Sequence, residues 1–311
     1  MTVKLPKLIA TSVVRGSKQG ESHGGVFTVD FENRQGAQRI DWNSGDIDWD
    51  GRGADRGLRG IAFDGDEIYI AASDELFVYD REFSKLRSYK SRYLKHCHEI
   101  CRVDRRIFLT STGFDSLLSF DLESRKFDWG FHLQKEYDKW AGYAFDPRSD
   151  VGPRPVNDFH INMVHMDKTG IYFCGLKLDA LLHLSDRMEV TEVCNVPNGT
   201  HNTRPWNEGV LFNDTASDCV RYVRRDGTEK AFKIVSYDES LIEFAGIDDS
   251  KVARQAFARG LCPVDDRFIA VGSSPSTITL YDVQSNQKVG SVNLSMDIRN
   301  AIHGLEVWPF D

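Results

Sequence analysis

Four short segments of the sequence decide the fold: Arg59-Gly-Ile-Ala-Phe-Asp64, Glu67-Ile-Tyr-Ile-Ala-Ala-Ser73, Glu75-Leu-Phe-Val-Tyr-Asp80 and Lys85-Leu-Arg-Ser-Tyr89. β-branched and aromatic residues dominate them, and such residues favour extended strands. Asp, Gly and Ser residues lie between the segments, and these residue types favour tight turns. The stretch therefore predicts a four-stranded antiparallel meander.

The same order of segments recurs four more times along the chain. The first segments of these repeats begin at His98, His160, His201 and Arg259. A sixth first segment, His303-Gly-Leu-Glu-Val-Trp308, begins only eight residues before the end. Strand-like segments that could complete this sixth unit are found at the other end of the chain, at Lys7–Val14, Gly25–Asp30 and Gln38–Trp42.

These repeats predict an all-β fold, a six-bladed β-propeller with four-stranded antiparallel blades. The ring is expected to close through a blade shared between the N-terminal strands and the C-terminal strand. Closure of this kind leaves no long unpaired sheet edge, which would otherwise pair with other chains. We expect one domain over residues 1–311.

Two intervals between the first segments are longer than the rest. The six starting residues are spaced by 39, 62, 41, 58 and 44 residues, whereas a blade needs about 40. The extra residues lie at about 131–159, which includes Trp140 and three prolines, and at about 236–258, with a helix-like pattern after Asp248. Both insertions are expected to cap one face, and the first is expected to form a lid.

The repeat pattern resembles the six-bladed propellers of the gluconolactonase/SMP-30 and NHL-like group. The resemblance covers nearly the whole chain and is one of architecture. It implies that the first strand of each blade lines the central channel, and that the connection leading into that strand lies on the active-site face. The metal-binding acid, asparagine and aspartate pattern of the gluconolactonase-like enzymes has no match here, so their activity is not expected.

One position at the start of each first segment holds only histidine or arginine. We call these six residues the anchors: Arg59, His98, His160, His201, Arg259 and His303. Four of the nine histidines thus occupy equivalent positions in four repeats. Neutral imidazole is the commonest transition-metal ligand. The pattern predicts a divalent transition metal (zinc, iron or manganese) bound by His98, His160, His201 and His303.

The two arginine anchors indicate the charge of the substrate. The planar guanidinium groups of Arg59 and Arg259 suit bidentate recognition of carboxylate or phosphate groups. Arg15 and Lys177 lie in loops expected on the same face, and Trp140 lies in the first insertion. We therefore expect a small anionic substrate, with Arg59 and Arg259 in the catalytic machinery and the other three residues binding substrate.

Two further residues are candidates for acid–base chemistry. His96 precedes His98 by two residues, so on a strand the two side chains share a face, and His96 is a candidate base or ligand. Asp158 precedes His160 by two residues. It is a candidate for orienting an imidazole, because metal-bound histidines usually donate their second N–H to an oxygen.

Other polar residues have more ordinary interpretations. Glu99 is expected to make a contact between blades. Asp115 lies between a second and a third strand, where an aspartate is more often a turn residue than a general base. His132 belongs to the first insertion.

Three functions therefore stay open at the level of sequence. The first is a metalloenzyme of the lyase, hydrolase or isomerase type, or an iron-dependent oxygenase. The second is a non-catalytic propeller that binds a small molecule or a protein. The third is a metal-free enzyme that uses histidine as acid and base.

Composition excludes some classes of function. The net charge of −8 and the isoelectric point near 5.6 argue against a nucleic-acid-binding protein. No run of 18 apolar residues predicts a membrane-spanning helix, and the N-terminus does not look like a signal peptide. The six cysteines are scattered, which is typical of reduced thiols. We expect a cytoplasmic protein with no membrane partner, in an oligomeric state that the sequence does not indicate.

Overall fold

The computed structural model describes residues 5–18, 20–43, 57–246 and 254–310. Within these ranges, 25 strands form six antiparallel sheets, together with a short 3-10 helix at Glu239–Leu241. This confirms the predicted all-β, six-bladed β-propeller built on four-stranded antiparallel blades. No helix in the described part of the chain is both long enough and apolar enough to span a bilayer.

The blades are numbered in the order in which their first strands follow along the chain. Blade 1 comprises β4 (Ile61–Asp64), β5 (Glu67–Ala72), β6 (Glu75–Tyr79) and β7 (Lys85–Lys90). Blade 2 comprises β8 (Ile100–Val103), β9 (Arg106–Ser111), β10 (Ser116–Asp121), β11 (Lys126–Glu136) and β12 (Lys139–Phe145). Blade 3 comprises β13 (Ile161–Asp167), β14 (Gly170–Gly175), β15 (Ala180–Leu184) and β16 (Val190–Asn195). Blade 4 comprises β17 (His201–Trp206), β18 (Gly209–Asp214), β19 (Cys219–Arg224) and β20 (Glu229–Lys233). Blade 5 comprises β21 (Gly260–Pro263), β22 (Phe268–Ser273), β23 (Thr277–Asp282) and β24 (Gln287–Asn293). Blade 6 comprises β25 (Asn300–Val307), β1 (Lys7–Val14), β2 (Gly25–Asp30) and β3 (Gln35–Asp41).

Blade 6 is the blade that the two ends of the chain share. Strand β25 pairs antiparallel with β1, from Leu8 opposite Val307 to Val14 opposite Asn300. The pairing continues beyond the strand, because the backbone N–H of Trp308 donates to the carbonyl of Lys7 at 2.9 Å. The predicted closure of the ring is therefore confirmed.

Blade 2 differs from the expected pattern by a fifth strand. Strand β11 is 11 residues long and turns back at Tyr137 and Asp138, both with positive φ, into β12. Register runs from Gly130 opposite Phe145 to Glu136 opposite Lys139. Part of the first insertion thus extends the blade as a hairpin, and its role as a lid stays a prediction.

The second insertion lies only partly in the described structure. Its first part holds the 3-10 helix Glu239–Leu241. The predicted helix start at Asp248 lies outside the described residues. Residues 254–258, the last part of the predicted helix, contain a turn at 255–256 and no helix.

The chain divides into two compact units, each with its own cores: unit 1 (residues 1–59 and 206–311) and unit 2 (residues 60–205). In unit 2, blades 1 and 2 pack through a cluster that includes Tyr69, Leu109 and Phe120. In unit 1, blades 5 and 6 pack through a cluster that includes Leu8 and Leu280. Middle strands such as β6 and β10 are buried along their whole length.

Candidate functional site

Three of the four histidine anchors belong to unit 2. His98 lies just before β8, His160 lies just before β13, and His201 opens β17. The rings of His98 and His160 meet edge to face, with centroids 5.1 Å apart and an interplanar angle of 65°. His201 is 6% exposed, and the other two rings are half-buried. The structure therefore brings His98 and His160 together as an imidazole pair.

Hydrogen bonds fix the tautomer of His98. Its Nδ1 lies 2.7 Å from the carbonyl oxygen of His96 and 2.9 Å from Oγ1 of Thr112. The Thr112 hydroxyl itself donates to the carbonyl of Ile161. A carbonyl oxygen only accepts hydrogen bonds, so Nδ1 must carry the proton. The lone pair of the neutral His98 ring therefore lies on Nε2. His96 contributes through its backbone carbonyl.

The other two histidines of unit 2 are oriented in the same way. Nδ1 of His201 lies 3.2 Å from the carbonyl oxygen of Gly199, so it also carries the proton. Nδ1 of His160 lies 3.1 Å from Oδ1 of Asn157. In all three rings the lone pair therefore lies on Nε2. Metal-bound imidazoles usually have this arrangement, in which the other ring nitrogen donates a hydrogen bond to an oxygen atom.

The segment that ends at His160 is held by one buried carboxylate. Asp115 is fully buried and accepts backbone hydrogen bonds from Asp158 at 2.6 Å, Phe159 at 3.1 Å and His160 at 3.0 Å. Burial raises the pKa of the Asp115 carboxyl, and the three N–H donors act in the opposite direction. The position of Asp115 between two strands predicts a turn residue, and the structure adds its role as the acceptor of these three N–H groups. Which N–H groups it meets depends on the packing of blade 2 against blade 3, which the sequence does not reveal.

Two predicted site residues next to this segment have other contacts than expected. Asp158 was the residue predicted to orient an imidazole, but the ring of His160 contacts Asn157 instead. The side chain of Asp158 is exposed, and its backbone N–H donates to the carboxylate of Asp115. The ammonium group of Lys177 donates to the carbonyl of Asn157. Lys177 is exposed, so it places a positive charge beside the segment that carries His160.

A buried polar pair links the neighbours of His98 and His201. Asn202 Nδ2 donates to Oε2 of Glu99 at 3.0 Å, and both side chains are buried. Glu99 belongs to blade 2 and Asn202 to blade 4, so the expected contact between blades is present. The Glu99 backbone is fixed in turn, because its N–H donates to Oγ1 of Thr110 at 3.1 Å.

Left-handed backbone accompanies these anchors. His96, His160 and Asn202 have φ values of 54°, 55° and 56°. Residues with a Cβ adopt this region at a cost of about 1–2 kcal/mol each, and such residues are concentrated at functional sites. The Asp115 carboxylate offsets this cost at His160 by accepting the N–H of that residue.

Trp140, predicted to bind substrate, lies on the added strand β12. Its Nε1 donates to Oε1 of Glu192 at 2.5 Å, and the ammonium group of Lys135 lies 4.7 Å from its ring centroid. The indole also packs edge to face against Phe159, with centroids 5.4 Å apart. Trp140 thus packs on the residue that precedes His160.

Unit 1 contains the fourth histidine and both arginine anchors. Nη1 of Arg259 lies 3.3 Å from Nε2 of His303. Guanidinium groups only donate, so Nε2 of His303 accepts and its lone pair also lies on Nε2. The Arg259 guanidinium stacks on Phe257, 4.3 Å from the ring centroid. Arg259 and His303 therefore form one pair of anchors.

Arg59 and Arg15 occupy different surroundings in unit 1. Arg59 is fully buried, and its carbonyl oxygen accepts from Oγ1 of Thr11 at 2.5 Å. A Cβ on Gly304 would lie 2.1 Å from this carbonyl, which explains the glycine after His303. Arg15 is half-buried, and its backbone N–H donates to the carbonyl of Arg299 at 2.9 Å.

The donor set can be compared with the requirements of a metal. In residues 5–18, 20–43, 57–246 and 254–310, no group of three or more His, Cys, Asp or Glu side chains is already placed around one metal position. His98 and His160 nevertheless fit a transition metal in residue type, tautomer and mutual proximity. A third ligand would have to come from a side-chain rotation or from solvent.

Comparisons with known proteins extend only to the fold. No protein-family model and no curated protein match the chain. A protein of unknown function from Bacteroides caccae is similar with a TM-score of 0.61, at 8% identity, over 98% of this chain and 100% of that chain. A chain from a nidogen/laminin complex gives a TM-score of 0.58, at 9% identity, over 97% and 98%. A streptogramin B lyase gives 0.48, at 11% identity, over 80% and 86%.

At such identities the similarity is one of architecture. The expected resemblance to six-bladed propellers, without the signature of a particular family, is confirmed. The chain is a six-bladed β-propeller.

Proposed function

We propose that this protein is a metal-dependent enzyme that acts on a small anionic molecule. In this proposal Nε2 of His98 and Nε2 of His160 bind a divalent transition metal, and His201 is the candidate for a third ligand. The observation that carries the proposal is the shared tautomer, with each Nδ1 on a protein oxygen and each lone pair on Nε2. The role predicted for His303 stays a prediction.

The proposed metal would supply Lewis acidity or an activated water molecule when bound. The chain's own residues would orient the ligands: the His96 carbonyl and Thr112 behind His98, and Asn157 behind His160. The exposed ammonium group of Lys177, held on the Asn157 carbonyl, favours a substrate with a carboxylate or phosphate group. A lyase, hydrolase or isomerase reaction suits zinc or manganese, and an oxygenase reaction would require iron.

Metal affinity tests this proposal directly. We expect the untagged protein to bind one zinc ion, and we expect a His160→Ala/His201→Ala double variant to bind it more than about 100-fold more weakly, because both candidate imidazoles are lost. The measurement is isothermal titration calorimetry of the metal-stripped protein, with elemental analysis after reconstitution with zinc, iron or manganese.

His183→Ala is the matched control. His183 lies on a third strand, where its ring contacts Tyr172 and the carbonyl of Thr169. Its loss should leave zinc affinity unchanged. The proposal is contradicted if the folded wild-type protein takes up no stoichiometric metal, or if the double variant binds zinc as tightly as the control.

A metal-free acid–base enzyme is the second candidate. The edge-to-face rings of His98 and His160 favour it, because two neighbouring imidazoles can serve one substrate as general acid and general base. This candidate predicts turnover that survives exhaustive metal removal, with a bell-shaped pH profile.

We also propose a cytoplasmic location. All six cysteines are free thiols. Two of them, Cys97 and Cys174, are completely buried in unit 2. Free thiols persist in a reducing compartment.

A further inference from the structure

A cavity lies in unit 2 beside the segment that precedes His160, and it suggests a binding role that goes beyond the proposed function. It has a volume of about 610 Å³, within the range of roughly 300–1,000 Å³ typical of small-molecule sites. Its walls include Asp115, His132, Tyr143, Asp158 and Phe159. None of the histidine anchors lines it.

The wall of this cavity carries a hydrogen-bond acceptor on a largely buried ring. His132 is 7% exposed, and its Nδ1 lies 2.8 Å from the carbonyl oxygen of Phe114, so Nδ1 carries the proton. Burial lowers the pKa of His132, which keeps the ring neutral at neutral pH. Its Nε2 makes no hydrogen bond to any residue in the described ranges. Nε2 is therefore an acceptor that a donor group of a ligand in the cavity could reach.

The electrostatic surroundings of this acceptor are negative. Three carboxylates, those of Asp115, Glu136 and Asp158, line the cavity, and that of Asp115 is fully buried. Lys135 and Arg154 also line the cavity, and their side chains are exposed like those of Glu136 and Asp158. The Lys135 ammonium lies over the Trp140 ring, so Asp115 is the one buried charged group among these five. The buried end of the cavity thus favours a positively charged donor.

Aromatic rings complete the walls. Tyr143 meets His132 edge to face, with centroids 5.3 Å apart, and Phe159 lies on the same cavity. Aromatic faces attract cations. We propose that this cavity binds a small molecule with an ammonium group, which donates a hydrogen bond to Nε2 of His132 and is attracted by Asp115 and Asp158.

Matched amines and neutral analogues test this site. The probes are tyramine against 4-ethylphenol, and butylamine against 1-butanol, titrated into the full-length protein by calorimetry at low salt. We expect at least one amine to bind one to one, at least tenfold more tightly than its neutral analogue. His132→Phe keeps the ring but removes the acceptor, and it should weaken amine binding at least tenfold.

The amine affinity of an Asp158→Asn variant is a second test, and it does not require the substitution of a buried side chain. Its side chain is exposed, and its backbone N–H still holds Asp115. We expect a weakening of about threefold, whereas Asp179→Asn, a change of another exposed carboxylate in unit 2, should have no effect. The site is refuted if neither amine outbinds its neutral analogue, if both His132→Phe and Asp158→Asn leave amine affinity unchanged, or if acetate binds instead of the amines.

Discussion

Removal of residues 300–311 is expected to yield a chain that does not fold. These residues supply β25, which pairs with β1 in blade 6. Ile302 and Leu305 on this strand are 0% and 3% exposed and belong to the core of blades 5 and 6. Burial of two such side chains contributes about 3–6 kcal/mol, against a total stability of about 5–15 kcal/mol for a typical domain. The loss also leaves β1 as an unpaired, apolar edge.

A chain that ends at Trp308 is the matched control. It keeps β25 and the hydrogen bond from Trp308 to Lys7 and loses the edge-to-face contact of Phe310 with Trp308, so it should still unfold cooperatively, at a urea concentration only slightly below that of the full chain. The measurement is circular dichroism with urea denaturation, together with size-exclusion chromatography. A cooperative unfolding transition in the chain without residues 300–311 would show that β25 is not needed for closure.

Replacement of Asp115 by alanine is expected to lower the free energy of unfolding by about 3–5 kcal/mol. Three backbone N–H groups, those of Asp158, Phe159 and His160, would lose their acceptor. Each unsatisfied buried donor costs about 1–3 kcal/mol, and partial access of water reduces the sum. His160 would also lose the contact that supports its left-handed backbone. Urea denaturation measures the change.

Asp179→Ala is the control for this substitution. Asp179 occupies the corresponding loop of blade 3, between its second and third strands, but its side chain is exposed. Its loss should cost less than about 0.5 kcal/mol. Equal stability of the Asp115→Ala and Asp179→Ala variants would mean that the buried carboxylate does not hold the His160 segment. The Asp115→Ala variant should in addition bind zinc more weakly, because it releases one of the two paired imidazoles.

The fold could be predicted from the sequence because each blade repeats the same pattern of short strands and turn residues. Segments such as Glu67–Ser73 are short, β-rich and bounded by turn residues, and the unpaired last segment at His303 indicated the shared blade. The added strand β12 was not predicted, because the prolines at 147, 153 and 155 favoured the interpretation of the whole segment as an irregular loop. Strand β12 ends before the first of these prolines.

The candidate site was predictable in its residue types and less so in its supporting contacts. Alignment of the repeats identified His98 and His160, whose rings do meet. The residue expected behind His160 was Asp158, but Asn157 makes that contact. The conformation of the turn before His160 determines whether Asn157 or Asp158 reaches the imidazole ring. The left-handed backbone at His160 is in turn supported by Asp115, which is distant in sequence. Spacing along the chain carries no information about such a tertiary contact.

The zinc K-edge X-ray absorption spectrum of the reconstituted protein tests the central claim most directly, because it counts the imidazole ligands. The proposed site predicts at least two histidine nitrogens at about 2.0–2.1 Å from the metal, with outer-shell scattering typical of imidazole rings. In the His160→Ala/His201→Ala variant this imidazole scattering should fall to one ring or disappear. A wild-type spectrum with oxygen ligands alone, or a wild-type protein that retains no zinc, would contradict the account.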